Sequence, residues 1–379
     1  YLINKNTYEN KMSRVRFHGI EAISNISSLK ISGIGWKDYN SKNSVQENIN
    51  NMNINFDLVI AYKPLELIKF KNIKPLKCIR YNEMYNFSET LNEIEKSNVD
   101  IVICHHENDM QTYKSYYNNY HGQKNKNVRF FHIPHCAKKT IFKDYNQNRD
   151  IDILLAGKVN GKNSLKEHHY PLRLRFQKLL PQLSQRFKVH NYKHIGYTHT
   201  DANTDKYQIE FAKIINRSKI CLTCSGLPKS RFGKYIEIPR CNSVIAGDIP
   251  DQDQDVIKTF VIEINNKMSD LDIIEKLSKY LNNHKILDKK RKIGYEWSQK
   301  YDQEYYANEF IKVLNVINKK NIISIQEEGI PEEAIIKEEE IIKEEEIIQE
   351  EEIIQEEERI KEEEKIQEEE RIQEEERIQ

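Results

Sequence analysis

The residue types best suited to chemistry lie in a glycine-containing basic stretch, residues 225–237. Within it, Arg231, Lys234 and Glu237 recur at intervals of three, which places them along one edge of a helix that starts near Arg231. Cations at a helix N-terminus are unfavourable unless an anion binds there, so the pattern favours a phosphate site. The carboxylate of Glu237 could then accept hydrogen bonds from sugar hydroxyls. A salt-bridged surface helix is the alternative explanation of the same residues.

A second basic loop follows the apolar run Asp152–Ala156 and contains Gly157, Lys158, Gly161 and Lys162. A strand that ends in such a loop and is followed by a helix is a phosphate-binding geometry. The glycines let backbone N–H groups approach the ligand, and the lysines supply positive charge. The pattern is neither a GxGxxG loop nor a Walker loop, so an ordinary surface loop explains it equally well.

Candidate acid–base residues follow two apolar runs in the N-terminal half of the chain. Residues 100–104 lead into His105 and His106, and residues 76–79 lead into a turn that ends at Glu83. Ligands bind beyond the carboxyl ends of the strands in open α/β sheets, so these three residues are candidates for a general base or a transition-state stabiliser. Polar loop residues with satisfied hydrogen bonds are the alternative. Adjacent histidines on a strand point to opposite faces, so a shared metal site is not expected.

Two further patterns resemble metal sites and have simpler explanations. Cys221 and Cys224 have CxxC spacing, but no second CxxC or nearby Cys/His pair follows, so buried thiols are expected. Asp251 and Asp253 lie in a run of Asp and Gln after Pro250, which predicts a solvated turn. We therefore expect neither a metal nor another cofactor.

The elements that position these residues form an α/β succession. The strand candidates are apolar throughout, as is typical of parallel sheets covered on both faces. They are Leu29–Ile34, Phe56–Ala61, Leu76–Tyr81, Asp100–His105, Val128–Ile133, Asp152–Ala156, Phe187–Asn191, Lys219–Thr223, Val244–Ala246 and Phe260–Ile262. Helical patterns lie between and after them, at Val45–Met52, Glu89–Lys96, Asn108–Tyr117, Leu172–Leu183, Gln208–Ile215, Tyr235–Ile238, Asp270–Tyr280, Lys285–Ser298 and Glu304–Ile317. The polar stretch 143–149 then separates two α/β domains, residues 1–145 and 146–320.

The formal net charge of zero hides two opposite charges. Residues 327–379 hold 25 Glu against seven Lys and Arg, a net charge of −18, and the rest of the chain holds 52 basic against 34 acidic residues, a net of +18. A basic body fits an anionic ligand. From Glu338 the tail repeats a hexad whose Ile side chains share no common face, which predicts an acidic single helix or a disordered extension over residues 321–379. Such a tail either binds a basic partner or is a tolerated slippage repeat.

Several classes of protein are excluded by what the sequence lacks. No run approaches the ~18 apolar residues of a membrane span. There is no zinc finger, no RNP-like aromatic motif and no Lys/Arg-rich block, so nucleic acid is not an expected partner. Scattered thiols without a disulfide framework favour a reducing compartment, so we expect the cytoplasm, either of the producing cell or of a virus-infected host.

A set of short motifs runs along the C-terminal half of the chain. It consists of Ala156-Gly157, Tyr170-Pro-Leu-Arg173, Tyr207–Ser218, Ser230-Arg231 leading to Glu237, Val244–Ile249 and the closing 300–310. In order and type these motifs resemble the glycosyltransferase-like domain of the spore-maturation CgeB group, within the GT-B glycosyltransferases. The first half is similar to the N-terminal GT-B domain more loosely, through its strand order and its turns at 80–83 and 132–135.

This resemblance implies a GT-B fold, with two Rossmann-like α/β domains facing a cleft and the acidic tail appended. Residues 1–145 would form the acceptor-side domain and residues 146–320 the nucleotide-sugar domain. Glu237 resembles the acid that binds the donor ribose, and Arg231 resembles the basic residue near the diphosphate. The implied donor-binding residues are Gly157, Lys158, Arg173, Arg231, Lys234 and Glu237.

The implied activity is transfer of a sugar, as in hexosyltransferases, from a nucleotide-sugar donor to a hydroxyl of a glycan, protein or small-molecule acceptor. No metal is expected, because basic residues and a helix N-terminus stabilise the departing diphosphate. Retention of anomeric configuration is a weaker expectation, and inversion stays open. Many retaining GT-B enzymes have two acids separated by seven residues, and the earlier position here is Lys229. Arg240, Cys241 and Asn242 replace small residues before the last strand. A non-catalytic binding protein that keeps the nucleotide-domain shell is therefore the alternative.

Overall fold

The computed structural model of the protein describes residues 1–10, 17–61, 73–81, 87–117, 128–159, 169–194 and 204–326. The chain divides into two compact units, Tyr1–Val313 and Leu314–Gln379. The first unit contains both of the sheets described below. The second is described only to residue 326, where it is helical. The hexad repeats lie outside the described residues, so the predicted state of the tail stays a prediction.

Helices and strands alternate through the first part of the described chain. They are α1 (Lys5–Asn10), α2 (His18–Ile23), α3 (Val45–Asn51), β1 (Leu58–Ala61), β2 (Leu76–Tyr81), α4 (Phe87–Ser97), β3 (Ile101–Cys104), α5 (Glu107–Tyr116) and β4 (Arg129–His132).

The first sheet is parallel, with strand order β1-β2-β3-β4. Its register places Cys78 opposite Ile101 and Cys104 opposite His132. Every residue of β3 is buried, which explains why its sequence is apolar on both faces. Because all four strands point the same way, the residues that follow β2, β3 and β4 gather at one edge of the sheet.

The same alternation continues in the second part of the chain. The elements are β5 (Ile151–Leu155), α6 (Pro171–Leu183), β6 (Val189–Asn191), α7 (Thr204–Asn216), β7 (Ser218–Leu222), α8 (Lys234–Arg240), β8 (Val244–Gly247), α9 (Gln254–Phe260), β9 (Ile262–Glu263), α10 (Asp270–Leu281), α11 (His284–Ser298) and α12 (Gln303–Gln326).

The second sheet is also parallel, with strand order β6-β5-β7-β8-β9. Ile153 and Leu155 pack into one hydrophobic cluster, while Leu154 and Ala156 pack into another. Successive side chains of a strand point to opposite faces, so the two clusters cover the two faces of this sheet. The order, with β5 and β7 central, is that of a doubly wound sheet, whose ligands bind beyond the carboxyl ends of the strands.

Most of the predicted strands and helices are confirmed to within about two residues, but some predictions are wrong. The stretch Leu29–Ile34 is not a strand among the described elements, because only Ser32 makes an isolated bridge, to Leu2. Gly33 there has φ +140°, and an added Cβ would lie 2.4 Å from the carbonyl oxygen of Ile3. Near the C-terminal edge, Phe260 ends the unpredicted helix α9 instead of starting a strand.

The closing helices carry clear sequence signals. Ser269 caps α10 in a capping box with Asp272, in which each side chain bonds the backbone N–H of the other residue. Asn283 caps α11 by accepting from the N–H of Ile286. Within the described ranges, no helix is both long and apolar enough to cross a membrane.

Candidate functional site

His105 lies directly beyond β3 and is held in one tautomer. Its Nδ1 is 2.8 Å from the carbonyl oxygen of Ile133, and a carbonyl only accepts, so Nδ1 carries the proton. Its ring stacks on His135, with centroids 4.7 Å apart. Burial, reinforced by the positive charge of Arg80, holds the pKa of His105 well below its usual range. The Nε2 atom is therefore a buried acceptor, with no hydrogen-bond partner among the described residues.

His106 follows at the N-cap of α5, yet its side chain makes no capping hydrogen bond. Both of its ring nitrogens are buried without a hydrogen-bond partner in the described part of the chain. The ring stands edge-on to Phe232 at 5.1 Å and lies 5.0 Å from His135. Burial, with smaller effects from His132 and Arg231, lowers the pKa of His106 to about 3. The imidazole is therefore neutral at physiological pH, when it can donate one hydrogen bond and accept another.

Contacts from α5 to two loops of the second sheet bring the carboxyl ends of the sheets together. The loops are residues 223–233, called here the β7–α8 loop, and residues 248–253 after β8. The side-chain amide of Asn108 donates to the carbonyl oxygen of Pro228 at 3.1 Å and to Asp251 Oδ2 at 2.9 Å. His106 contacts Phe232 of the β7–α8 loop, as described above. The residues after β3 and the residues after β7 and β8 thus line one site.

Arg231 is the most deeply buried cation of this site, with 1% of its surface exposed. It forms an ion pair with Asp253, and its guanidinium carbon lies 4.3 Å from the ring centroid of Tyr301 and 5.5 Å from that of Trp297. Its Nε and Nη2 atoms are buried and have no hydrogen-bond partner among the described residues. Burial of His132, with a smaller effect from the positive charge of Arg231, lowers the pKa of His132 to about 4.

One prediction about this stretch is wrong. Arg231 does not lie on a helix with Lys234 and Glu237, because α8 begins only at Lys234 and is seven residues long. The turn predicted at Asp251 and Asp253 is present, and the Asp253 carboxylate, which is 32% exposed, also pairs with Arg231 and accepts from the Tyr301 hydroxyl at 3.2 Å. Local sequence patterns do not report such tertiary contacts.

Gly157 and Lys158 lie beyond β5, where Arg173 holds them. Gly157 has φ +96°, and an added Cβ would lie 3.0 Å from Arg173 Nη1 and 3.4 Å from the Cε atom of Lys234. Arg173 Nη1 donates to the carbonyl oxygen of Lys158 at 3.0 Å, and its Nη2 donates to that of Cys224 at 3.2 Å. The guanidinium thus joins the loop after β5 to the end of β7, and it also lies 4.2 Å from the Tyr170 ring. Arg173 is placed to fix the shape of the site.

Lys234 and Glu237 form an ion pair on the first turn of α8. Both side chains are mostly buried, with 19% and 12% exposed. The ammonium of Lys234 lies 4.7 Å from the Phe211 ring, on the side of α8 that borders Gly157. The Glu237 carboxylate folds back over Gly233, since its Oε1 would lie 3.2 Å from an added Cβ there. The structure therefore brings Gly157, Lys234 and Glu237, three of the candidate donor-binding residues, together.

Asp248, to which no sequence motif assigned a role, organises the β7–α8 loop. Its carboxylate accepts from the N–H of Ser225 at 2.8 Å, from the Ser225 hydroxyl at 2.6 Å and from Lys229 Nζ at 3.1 Å. The hydroxyl of Tyr235 donates to the Asp248 carbonyl oxygen. The sequence signal for this role was the position of Asp248 directly after β8, where its carboxylate can bond to the loops of neighbouring strands.

Two hydroxyls of the β7–α8 loop complete the set of buried polar groups. Thr223 and Ser230 are 0% and 3% exposed, and neither side-chain oxygen has a hydrogen-bond partner in the described ranges. The third catalytic candidate, Glu83, lies outside the described residues. Within the described ranges, no three His, Cys, Asp or Glu side chains are grouped to hold a metal ion.

A surface groove of about 710 Å³ lies elsewhere, at the amino ends of β1 and β2. Its walls include Gln46, Asn53, Asp57 and Lys74. The strands are parallel, so this groove is at the opposite edge of the first sheet from His105 and His106. Buried polar groups, rather than cavity size, therefore mark the candidate site.

The architecture matches that of solved glycosyltransferases. Anabaena HepE, solved in complex with UDP and glucose, has a TM-score of 0.53 at 8% identity, over 83% of this chain and 98% of that one. A glycosyltransferase from Rickettsia africae has a TM-score of 0.51 at 12% identity, over 84% and 97%. No protein-family model and no curated protein sequence matches the chain. The protein therefore has the two-domain GT-B fold of glycosyltransferases, with two parallel sheets.

Proposed function

We propose that this protein is a glycosyltransferase that moves a sugar from a nucleotide-sugar donor to an acceptor hydroxyl. One observation carries the proposal: where their carboxyl ends meet, both sheets contribute buried polar atoms that have no hydrogen-bond partner among the described residues. Arg231, Thr223 and Ser230 come from the second sheet and His106 from the first. A buried polar group left unsatisfied costs roughly 1–3 kcal/mol, so a polar ligand at this place is expected.

The donor is proposed to bind to residues 146–320, with residues 1–145 holding the acceptor. Arg231 fits the diphosphate, because two of its donor atoms, Nε and Nη2, lack partners among the described residues. Gly157 and Lys158 lie in the loop after β5, which Arg173 joins to Cys224 after β7, and they are proposed to bind the same diphosphate. Glu237 is the proposed partner of the ribose hydroxyls. HepE was solved in complex with UDP and glucose, which makes UDP the first nucleotide to test.

In the proposed reaction, the bond between the sugar carbon and the diphosphate oxygen breaks, and its electron pair stays on that oxygen. A bond forms from the acceptor oxygen to the same carbon, and the acceptor proton passes to a general base, for which Glu83 is the proposed candidate. Charge grows on the diphosphate, where the N–H groups of Arg231 are placed to stabilise it. We propose that side chains stabilise the charge on the diphosphate without a metal ion.

The histidines are proposed to act through hydrogen bonds. With a pKa near 3, His106 is a weak base at physiological pH, and His105 is likewise held neutral by burial. The ring nitrogens that have no hydrogen-bond partner among the described residues are proposed to bond to sugar hydroxyls. These bonds would stabilise the transition state from the side of the first sheet. Glu83 remains the proposed candidate for a general base.

The alternative is a non-catalytic protein that binds the nucleotide sugar. The observation in its favour is Lys229, which stands where retaining relatives of this fold have an acid. The Lys229 side chain is exposed and pairs with Asp248, so a cation stands at this position of the β7–α8 loop. Assignment to the CgeB-type group is a further proposal, supported by the motifs at Tyr170–Arg173 and Ser230–Glu237.

Calorimetry with UDP and release of UDP from UDP-glucose test the proposal together. Arg231→Ala should weaken UDP binding at least about tenfold, because it removes the proposed diphosphate donor. Arg217→Ala is the matched control, since Arg217 is exposed and pairs with Asp150 on the amino-end side of β5. Binding without turnover by any nucleotide sugar would favour the binding protein. Unchanged UDP affinity in Arg231→Ala would contradict the proposed site.

A further inference from the structure

We infer that Asp253 is a built-in competitor of the donor diphosphate for Arg231, and that it sets how readily the nucleotide diphosphate product leaves. The inference rests on the proposed function, in which Arg231 binds the diphosphate. It adds Asp253, which the sequence motifs did not assign to the site.

The first support is the direction of the Asp253 side chain. Asp253 stands at the N-cap of α9, but it makes no side-chain cap hydrogen bond. Its φ is +54°, in the left-handed region that residues other than glycine rarely adopt. The carboxylate is turned instead to Arg231 and to the Tyr301 hydroxyl, which both bind the same oxygen, Oδ2. The Asp253 carboxylate therefore binds the buried Arg231 instead of capping α9.

The second support is the balance of charge around Arg231. The guanidinium is packed against the rings of Tyr301 and Trp297, which carry no charge. His106 and His132 are close enough for Arg231 to depress their pKa values, and burial keeps both neutral at physiological pH. Asp253 is the carboxylate that the described structure places against Arg231. Without a ligand, the pair is therefore neutral.

A buried cation that loses its counter-ion is strongly destabilised, so Asp253 stabilises the ligand-free state of the site. When a diphosphate binds, its oxygens and the Asp253 carboxylate share one guanidinium, and like charges repel. Both effects raise the dissociation constant of the diphosphate. Only one guanidinium nitrogen, Nη1, is hydrogen-bonded to Asp253, so the carboxylate weakens diphosphate binding without blocking it.

The test is calorimetry with UDP, with inorganic pyrophosphate and with uridine, on the full chain. Asp253→Asn keeps the shape of the side chain and removes its charge. It should bind UDP and pyrophosphate at least about fivefold more tightly than the wild type, a coupling of ordinary size between two sites. Uridine binding should not change, because uridine carries no phosphate. Asp255→Asn is the matched control, since Asp255 lies on the same helix, is 88% exposed and pairs with Lys258.

The possible results separate this inference from the proposed function. Tighter binding of pyrophosphate alone, with no UDP binding in either form, would support the role of Asp253 and reject the nucleotide-sugar site. If Asp253→Asn binds UDP with an affinity equal to or lower than that of the wild type, the role of Asp253 is rejected and the proposed nucleotide-sugar site still stands. Failure of both probes to bind either form would overturn both. If Asp253→Asn does not fold, Asp253→Ala takes the same measurements. Adding Arg231→Gln to either variant should abolish the gain in affinity.

Discussion

Replacing Arg173 by Met should destabilise the fold and weaken donor binding together. Arg173 is 4% exposed, and its guanidinium donates to the carbonyl oxygens of Lys158 and Cys224 at 3.0 and 3.2 Å. Hydrogen bonds from a charged group contribute roughly 1.5–3 kcal/mol each, so the pair accounts for about 3–6 kcal/mol of the free energy of unfolding. At roughly 2 °C per kcal/mol for a domain of this size, the melting temperature should fall by about 6–12 °C.

The matched control is Arg217→Met. Arg217 also makes two hydrogen bonds, to the carboxylate of Asp150 at 2.8 and 2.6 Å, but 42% of its side chain is exposed. Exposed ion pairs contribute only about 0.2–1 kcal/mol, so its melting temperature should fall by no more than about 2 °C. Thermal unfolding followed by circular dichroism measures both, and calorimetry should show about tenfold weaker UDP binding for Arg173→Met alone. Equal shifts in the two variants would refute a role for Arg173 in holding the loop after β5 to β7.

Three further outcomes are expected. Glu237→Ala should raise the Kd of UDP about ten- to a hundredfold, while Glu210→Ala, which removes an exposed carboxylate of α7, should leave it unchanged; calorimetry measures both. Turnover of a nucleotide sugar should survive EDTA, and loss of activity restored by Mn²⁺ would contradict a metal-free mechanism. The folded pKa of His106, about 3, lies below the ordinary value of 6.5, so the unfolded chain binds more protons between these values and stability falls as pH falls from 6.5 towards 3. His106→Gln should flatten that part of the profile in urea titrations at several pH values, and an unchanged slope would argue against a buried neutral imidazole.

The fold was predictable wherever one local signal was enough. Parallel strands buried on both faces are continuous apolar runs, so β2 was predicted over Leu76–Tyr81 with the bounds that the structure shows. The same rule failed for Leu29–Ile34, an apolar run in which Gly33 takes a left-handed conformation against the backbone of Ile3. Periodicity does not report such a close approach of two backbone segments.

The candidate site was predictable in its residue types and only partly in its geometry. Gly157 and Lys158 were expected beyond a strand, and the structure places them there. The environment of Arg231 was not predicted, because its partner Asp253 is separated from it by 22 residues and its ring contacts come from α11 and from Tyr301. The depressed pKa of His106 likewise follows from burial between two sheets, which no neighbouring residue in the sequence reveals.

A crystal structure of the protein with UDP is the decisive measurement for the proposed donor site. We expect diphosphate oxygens within hydrogen-bond distance of Nε and Nη2 of Arg231, and ribose hydroxyls within hydrogen-bond distance of the Glu237 carboxylate. We also expect the uridine beyond the carboxyl ends of β5 and β7, on the side where His106 meets Phe232. UDP bound elsewhere, for example in the groove at the amino ends of β1 and β2, would show that the donor site is wrongly assigned.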